Sequence, residues 1–396
     1  TTADNWHEPA NVARYVDHFW GSTGHAGPAS YFHDVRNTQF FRDGKPVTLP
    51  KDCYKTDLVA DFATDFIAKA AAKTQPFFLY VAEYAPHWPL HAKSTDMEKY
   101  RQRYRDMGWD ASRQQRYDRL VAAGLISKAA SLSPRDDRAA PWPQARDQKW
   151  EADRMAAFAA QIDSLDQGVG RILAALEKAG VDENTLVLFL SDNGASDESV
   201  DVSLDKPGLT WRADDVPTAF GNIRQNAPGS PDTFMTAGPA WSNLSNTPFR
   251  GHKHSNFEGG IATPCLVRWP AVIRQSGATT DELGHIADIM PTCLDVAGVT
   301  YPAEFRGRNV APLAGISLTP VFRGQPRHGH PSLCWATSGC RAVREGDWKL
   351  VAGKGGPWQL YDLSTDRTEL HDLAAMYPER VQHLKDVFDG WENGAP

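Results

Sequence analysis

An amphipathic helix between two short apolar runs limits the fold of this chain more than any other feature of its sequence. The two runs cover residues 76–82 and 185–190, and each has the continuous apolar pattern of a strand buried on both faces. Between them, apolar residues recur at steps of three and four and form one stripe, made of Met155, Phe158, Ile162, Leu165, Val169, Ile172, Leu173 and Leu176. A helix between two such strands indicates a βαβ unit, and therefore an α/β fold.

The sequence after this unit predicts a long loop and then more regular elements. Residues 196–247 are rich in Gly, Pro, Asn, Ser and Asp, which predicts a loop with little regular structure. Another apolar run, at 265–269, predicts a third strand. A short helix should follow, with Asp288 as its N-cap and Gly298 after its end.

The pattern of turns and strands changes after about residue 330. Two apolar runs flank Glu345-Gly346-Asp347, which predicts a hairpin, and residues 359–363 predict one more strand. The last apolar stripe, from Val381 to Trp391, predicts a closing helix. We therefore expect a large α/β domain over residues 1–330 and a small α+β domain over residues 331–396.

Charge and hydropathy exclude two classes of protein. The 396 residues carry a formal net charge of -7, and no Lys/Arg-rich run offsets it, so a general nucleic-acid-binding role is not expected. No apolar run is long enough to span a bilayer. An acidic protein that handles anions must concentrate positive charge locally, which directs attention to single basic residues in loops.

Two loops place reactive side chains directly after predicted strands, where open α/β sheets bind their ligands. One loop is Ala85-Pro86-His87-Trp88-Pro89, and the other is Ser191-Asp192-Asn193-Gly194. The carboxylate of Asp192 and the amide oxygen of Asn193 are hard ligands suited to Ca²⁺ or Mg²⁺. Each stretch taken alone is more typical of a plain turn or of a packed loop.

A third element combines a cation with glycines. It runs from Asn246 to His254 and continues into Glu258-Gly259-Gly260. Lys253 is a compact cation able to meet a sulfate or phosphate oxygen, although a lone lysine is usually a solvated surface residue. Gly259 and Gly260 allow a close backbone approach or a positive φ.

Taken together and in this order, these elements resemble the sulfatase family of the alkaline-phosphatase-like superfamily, in its bacterial arylsulfatase branch. The motifs that carry the resemblance are Tyr84-Ala85-Pro86-His87, Ser191-Asp192-Asn193-Gly194, and Phe249-Arg250-Gly251-His252-Lys253 with Glu258-Gly259-Gly260. The resemblance covers nearly the whole chain. It implies a large mixed, mostly parallel sheet flanked by helices, followed by a small C-terminal antiparallel sheet with one helix.

The resemblance also implies a chemistry, the hydrolysis of a small-molecule or glycan sulfate ester. It implies a divalent cation, Ca²⁺ or Mg²⁺, with Asp192 and Asn193 among its ligands, and a formylglycine nucleophile. Lys253 would contact the sulfate and the leaving oxygen, and His87 would act on that oxygen as general acid. Proteins of this kind are often exported, which favours the periplasm or the outside of the cell.

The sequence departs from the family at its nucleophile. The family carries this residue in a Cys/Ser-x-Pro-x-Arg motif that follows a strand with two adjacent acidic metal ligands. None of the five cysteines has this context, and no acidic pair follows an apolar strand near the start. We expect these groups to lie on a segment that this sequence does not contain, and we expect the chain alone to be poorly soluble and inactive on aryl sulfates.

Three other interpretations stay open at this point. The first is a phosphodiesterase or phosphonate hydrolase of the same superfamily. The second is a non-catalytic protein that holds sulfated glycans in the same pocket, and the third is a gene fragment without activity. Trp88, Trp211 and Trp241 lie in or near the loops and suit either stacking on a sugar or aryl group or ordinary packing.

Overall fold

The computed structural model describes residues 16–22, 30–32, 39–199, 212 and 216–394. The chain divides into two compact units. Unit 1 comprises Thr1–Ser112, Arg135–Val181 and Asp197–Leu244, and unit 2 comprises Arg113–Pro134, Asp182–Ser196 and Ser245–Pro396. The domain boundary at residue 330 stays a prediction.

The described residues form short strands and a few long helices. The strands are β1 (Trp20–Ser22), β2 (Phe40–Arg42), β3 (Lys45–Val47), β4 (Val187–Leu190), β5 (Ala219–Phe220), β6 (Thr233–Phe234), β7 (Cys265–Arg268), β8 (Glu304–Phe305), β9 (Arg308–Asn309), β10 (Leu333–Thr337), β11 (Cys340–Glu345), β12 (Trp348–Ala352) and β13 (Gln359–Asp362). The helices are α1 (Lys55–Ala71), α2 (Ser94–Ala122), α3 (Gln148–Lys178), α4 (Gly238–Ser245), α5 (Glu258–Ile261), α6 (Ile289–Ala297), α7 (Thr319–Phe322) and α8 (Pro378–Gly394). In this part of the chain no helix combines the length and the apolarity that a membrane span needs.

The predicted central helix is α3 of unit 1. It begins after Asp147, whose side chain accepts the backbone N–H of Trp150 as an N-cap, and Gly180 follows its end with φ 69°. The helix packs along α1. Its N-terminal half enters the core of the unit, where Trp150 meets Leu90 and Met235. The helix prediction is confirmed.

The strand predicted over residues 76–82 is absent. The segment alternates between half-buried and exposed side chains, and Phe78 and Tyr80 are 69% and 79% exposed. Within the described residues, this segment makes no backbone hydrogen bond outside helices and strands. A strand needs a neighbour to pair its backbone groups, so the expectation of a strand buried on both faces is wrong for this chain.

The loop predicted over residues 196–247 contains more order than expected. It includes β5 and β6, which pair in parallel, and the helix α4. The helix begins at Gly238-Pro239, because proline fits the first turn of a helix. Trp241 of α4 is completely buried beside Trp109 and Trp142, and this burial holds the helix in the core of unit 1.

Unit 2 contains the remaining predicted strands. β4 pairs with β7 in antiparallel register. The four strands β10, β11, β12 and β13 form an antiparallel sheet in that order, and α8 packs Leu384 and Phe388 against Leu350 and Leu360. The predicted hairpin, strand and closing helix are confirmed.

Asp288 precedes α6, as predicted, and Gly298 ends this helix in the left-handed conformation. The Asp288 carboxylate does not cap α6. It is fully buried and pairs with Arg327 and His330.

Candidate active site

The turn after β4 carries the first two predicted site residues. The Ser191 hydroxyl donates to the carbonyl of Asn193, and the side-chain amide of Asn193 donates to the carbonyl of Gly194. These bonds close the turn and leave the Asp192 side chain exposed. Both residues therefore sit in a tight turn with their oxygens available.

The loop that carries Lys253 contacts this turn through its backbone. The amide of Gly194 donates to the carbonyl of Gly260 at 2.9 Å, and the amide of Lys253 donates to the carbonyl of Ala195 at 3.0 Å. The structure thus brings Lys253 next to the turn that holds Asp192 and Asn193.

Asn246 joins the turn after β4 to the loop of Lys253 through side-chain hydrogen bonds. Its Oδ1 accepts the amide of Ala195 at 2.8 Å, and its Nδ2 donates to the carbonyls of Ala195 and Gly251. The sequence placed Asn246 at the start of the third element but gave no sign of this role, because the contact joins residues 51 apart.

Three glycines allow the backbones of the turn and of the Lys253 loop to approach closely. A Cβ on Gly194 would lie 1.8 Å from the carbonyl oxygen of Gly259, and a Cβ on Gly259 would lie 2.4 Å from that of Arg250. A Cβ on Gly260 would lie 2.1 Å from the carbonyl oxygen of Ser255. None of the three has a positive φ, so these positions require glycine for the close approach of backbones, the first of the two predicted reasons.

Lys253 is half-buried, and among the described residues no carboxylate forms an ion pair with it. Burial of an unpaired charge is unfavourable, and a nearby anion relieves this cost. The ammonium group is therefore available to an anion.

The two oxygens of the turn fit a divalent cation in type but not in number. The Asn193 amide nitrogen is engaged with Gly194, which leaves its Oδ1 as the ligand atom beside the Asp192 carboxylate. Ca²⁺ usually takes six to eight oxygen ligands. No group of three or more His, Cys, Asp or Glu residues within the described ranges is arranged to hold a metal.

His87 lies in unit 1, in a turn that is closed by a hydrogen bond from the backbone amide of His87 to the carbonyl of Tyr84. Its carbonyl accepts the hydroxyl of Tyr31 at 2.8 Å. Burial, with a smaller contribution from Tyr54, raises the pKa of Tyr31 well above its ordinary value, so this hydroxyl keeps its proton and donates. The backbone of His87 is therefore firmly placed.

The His87 ring has a defined tautomer. Its Nδ1 lies 2.7 Å from the carbonyl oxygen of Trp88, which can only accept, so Nδ1 carries a proton. Nε2 is consequently the ring nitrogen that would carry the proton of a general acid.

The three tryptophans proposed for stacking differ in burial and in contacts. Trp88 is half-buried, packs on the His87 ring, and donates its indole N–H to Glu198 at 2.5 Å. Trp241 is completely buried and has a packing role, whereas Trp211 lies outside the described residues. A single cleft that holds all four predicted residues, His87 included, stays a prediction.

Comparison with known families and proteins gives consistent matches. The family model described as sulfatase matches residues 5–299, and the model of the C-terminal region of N-sulphoglucosamine sulphohydrolase matches residues 252–388. An uncharacterized sulfatase of Schizosaccharomyces pombe is 33% identical over 347 residues, which is 84% of this chain and 60% of that protein. An arylsulfatase of Klebsiella aerogenes is 30% identical over 318 residues, 79% of this chain and 66% of that protein. The chain thus spans about two thirds or less of the length of these relatives.

Solved structures are similar in fold. The crystal structure of Ps i-CgsB superposes with a TM-score of 0.58 at 23% identity and covers 89% of this chain and 57% of that one. A second protein, solved in complex with its substrate D-glucosamine-2-N,6-O-disulfate, gives a TM-score of 0.54 at 18% identity, over 96% of this chain and 77% of that one. These likenesses confirm the predicted α/β fold class.

Proposed function

Because this chain belongs to the sulfatase family, we propose that it carries the sulfate-contacting and metal-binding loops of a sulfuric ester hydrolase of the arylsulfatase type. Lys253 is the observation that carries the proposal. It is a half-buried cation without a carboxylate partner in the described residues, in a loop fixed against the turn of Asp192 and Asn193.

Lys253 supplies charge where a sulfate ester needs it. As the ester bond breaks, negative charge accumulates on the leaving oxygen and on the sulfate oxygens. A fixed ammonium stabilises this charge without reorganisation, and donors of this type usually give the largest catalytic contribution. The hydrogen bond from the Lys253 amide to the Ala195 carbonyl fixes the backbone from which this side chain extends.

Asp192 and Asn193 would hold the metal. A bound Ca²⁺ or Mg²⁺ offsets charge on the sulfate oxygens and lowers the pKa of the nucleophile. The exposed Asp192 carboxylate supplies a full negative charge, and the Asn193 oxygen supplies a neutral ligand. The contact of Gly194 with Gly260 keeps this pair next to the Lys253 loop.

His87 is the proposed general acid. With Nδ1 engaged by the Trp88 carbonyl, the imidazolium form presents its other proton at Nε2. Transfer of this proton to the departing oxygen removes the need to expel an alkoxide or phenoxide.

The nucleophile is proposed to be a formylglycine on a segment outside this sequence. The support is the absence of the Cys/Ser-x-Pro-x-Arg context at all five cysteines. On this proposal the present chain alone releases no sulfate.

The substrate is proposed to be an aryl or sugar sulfate ester, since one similar structure holds a disulfated glucosamine and another holds a carrahexaose. We also propose a location in the periplasm or outside the cell, and this rests on membership of the sulfatase family alone.

The test compares this chain alone with a longer product, in which the chain is preceded by whatever coding sequence lies upstream in frame. We expect the upstream sequence to encode an acidic pair and the nucleophile motif, and only the longer product to hydrolyse an aryl sulfate. In that product, Lys253→Met should lower kcat/KM by about 10²–10³, in line with the loss of one charge-stabilising donor.

The matched control is Lys354→Met, which removes an exposed lysine of the same unit and should leave kcat/KM unchanged. Sulfate release by the short chain would contradict the proposed source of the nucleophile. Faster cleavage of an aryl phosphonate than of the sulfate would favour the phosphonate hydrolase alternative.

A further inference from the structure

A buried group of charges in unit 2 connects the Lys253 loop to the C-terminal sheet. Lys349 on β12 and Glu369 are completely buried, and Glu258 at the start of α5 is nearly so. The Lys349 ammonium lies 2.7 Å from Glu258 Oε1 and 2.8 Å from Glu369 Oε1. The amide of Glu258 donates to the other carboxylate oxygen of Glu369 at 2.8 Å.

Two arginines complete this group. The guanidinium of Arg367 contacts the second carboxylate oxygen of Glu258. Arg250 donates to the backbone carbonyl of Glu369 at 2.9 Å and packs on the ring of Phe257. We call Arg250, Glu258, Lys349, Arg367 and Glu369 the buried charge network.

The network holds both ends of the loop that carries Lys253. Arg250 is three residues before Lys253 and Glu258 is five residues after it. Both ends contact Glu369, and the amide of Gly259 closes the base of the loop on the carbonyl of Arg250. Both ends of the loop are therefore held at Glu369, and Lys349 connects Glu369 to the C-terminal sheet.

Stability alone does not account for this arrangement. Apolar side chains of similar volume are often as stabilising as a buried ion pair, because taking charges out of water is costly. In some proteins buried charged pairs instead specify one arrangement of the groups they join, and here they join a sheet to a loop.

We propose that Lys349 and Glu369 are positioning residues, which set the place of the Lys253 ammonium through the two ends of its loop. The inference rests on the proposed function for its catalytic consequence. Neither residue contacts the substrate in this proposal. They act by keeping the 250–260 loop on the turn of Asp192 and Asn193.

The test uses the double variant Lys349→Met/Glu369→Gln. It removes one charge of each sign at nearly constant volume, leaves Glu258 paired with Arg367, and keeps an acceptor for the Glu258 amide. Hydrogen exchange followed by mass spectrometry reports on peptides that contain Gly194, Lys253 and Gly259, whose amides make the contacts of the loop. We expect exchange at these amides to accelerate by at least about tenfold, with α8 unaffected.

Val343→Ala is the matched control. It truncates a buried side chain of the same sheet, outside the loop contacts, and lowers stability without changing the network. Glu369→Gln alone serves as the milder variant if the double variant does not fold. Unchanged exchange at the three amides in the folded variant, or equal acceleration in Val343→Ala, overturns the inference.

Activity separates this inference from the proposed function. In a form that hydrolyses sulfate esters, assayed well below its thermal midpoint, the double variant should lower kcat by about 10–100-fold, and Val343→Ala should not. Faster loop exchange in a protein that never releases sulfate would refute the proposed function and leave the loop coupling intact. Sulfatase activity that the double variant does not alter would refute the positioning role alone.

Discussion

β12 and the segment 76–82 are both short apolar runs, but their surroundings in the structure are opposite. Leu350 and Val351 of β12 are fully buried, whereas Phe78 and Tyr80 are mostly exposed. β12 lies between β11 and β13 and pairs with both, while segment 76–82 has no such ladder among the described residues. The comparison shows that an apolar run alone does not decide strand pairing or burial, which depend on the neighbours the run finds.

The largest expected effect is at Leu350. Leu350→Ala removes a fully buried side chain from the core between the sheet and α8, so it should lower the free energy of unfolding by about 2–5 kcal/mol. Phe78→Ala removes a larger side chain from an exposed position and should cost less than about 0.5 kcal/mol. Chemical denaturation of both variants measures the contrast, and similar losses would show that the two runs do not differ in burial.

The same contrast explains which parts of the fold were predictable. The hairpin of β11 and β12 was identified because its signal is local, a turn at Glu345-Gly346-Asp347 in which Gly346 has a positive φ of 58°. The pairing of residues 76–82 depends on distant partners that a local pattern does not contain. The helix α4 was missed for a similar reason, since the burial of Trp241 depends on Trp109, more than a hundred residues earlier.

The site shows the same limit. The turn of Asp192 and Asn193 and the loop of Lys253 were found from short motifs, and the structure brings them together. The contacts of Asn246, Lys349 and Glu369 were not predicted, because they join residues 51 to 111 positions apart. These contacts have no signature in a single sequence.

An intermediate effect is expected at Glu83, which directly follows segment 76–82. Its Oε2 is buried without a hydrogen-bond partner in the described residues. Burial, and to a lesser degree the nearby Asp57, raises the pKa of Glu83 to about 7. The folded state therefore binds a proton more tightly than the unfolded state, whose glutamate pKa is about 4.3.

The sign of the pH dependence follows from this difference. Between pH of about 4.5 and 7 the folded state holds more protons at Glu83, so this residue makes the protein less stable as the pH rises through that window. Glu83→Gln should remove the dependence and raise the free energy of unfolding by about 1–3 kcal/mol at pH 8 relative to the parent chain, with little difference at pH 4.5. Denaturation across this pH range measures both. An advantage of Glu83→Gln that does not grow with pH would contradict the raised pKa.

The smallest stability effect, and the most direct test of the comparison, is expected at the exposed side chains of segment 76–82. The double variant Phe78→Ser/Tyr80→Ser should change the free energy of unfolding by no more than about 0.5 kcal/mol, because both side chains already face water. Its solubility should rise, since exposed apolar side chains on a segment with no strand partner among the described residues favour association between molecules. Phe77→Ser is the matched control. Phe77 is half-buried and packs edge-on against Phe66, so its replacement should cost about 1–2 kcal/mol and leave solubility no better. Sedimentation and denaturation of the two variants separate the effects. If the double variant instead destabilises the chain as much as Phe77→Ser does, the exposed side chains have partners in solution, and segment 76–82 is closer to β12 than its surroundings in the structure indicate.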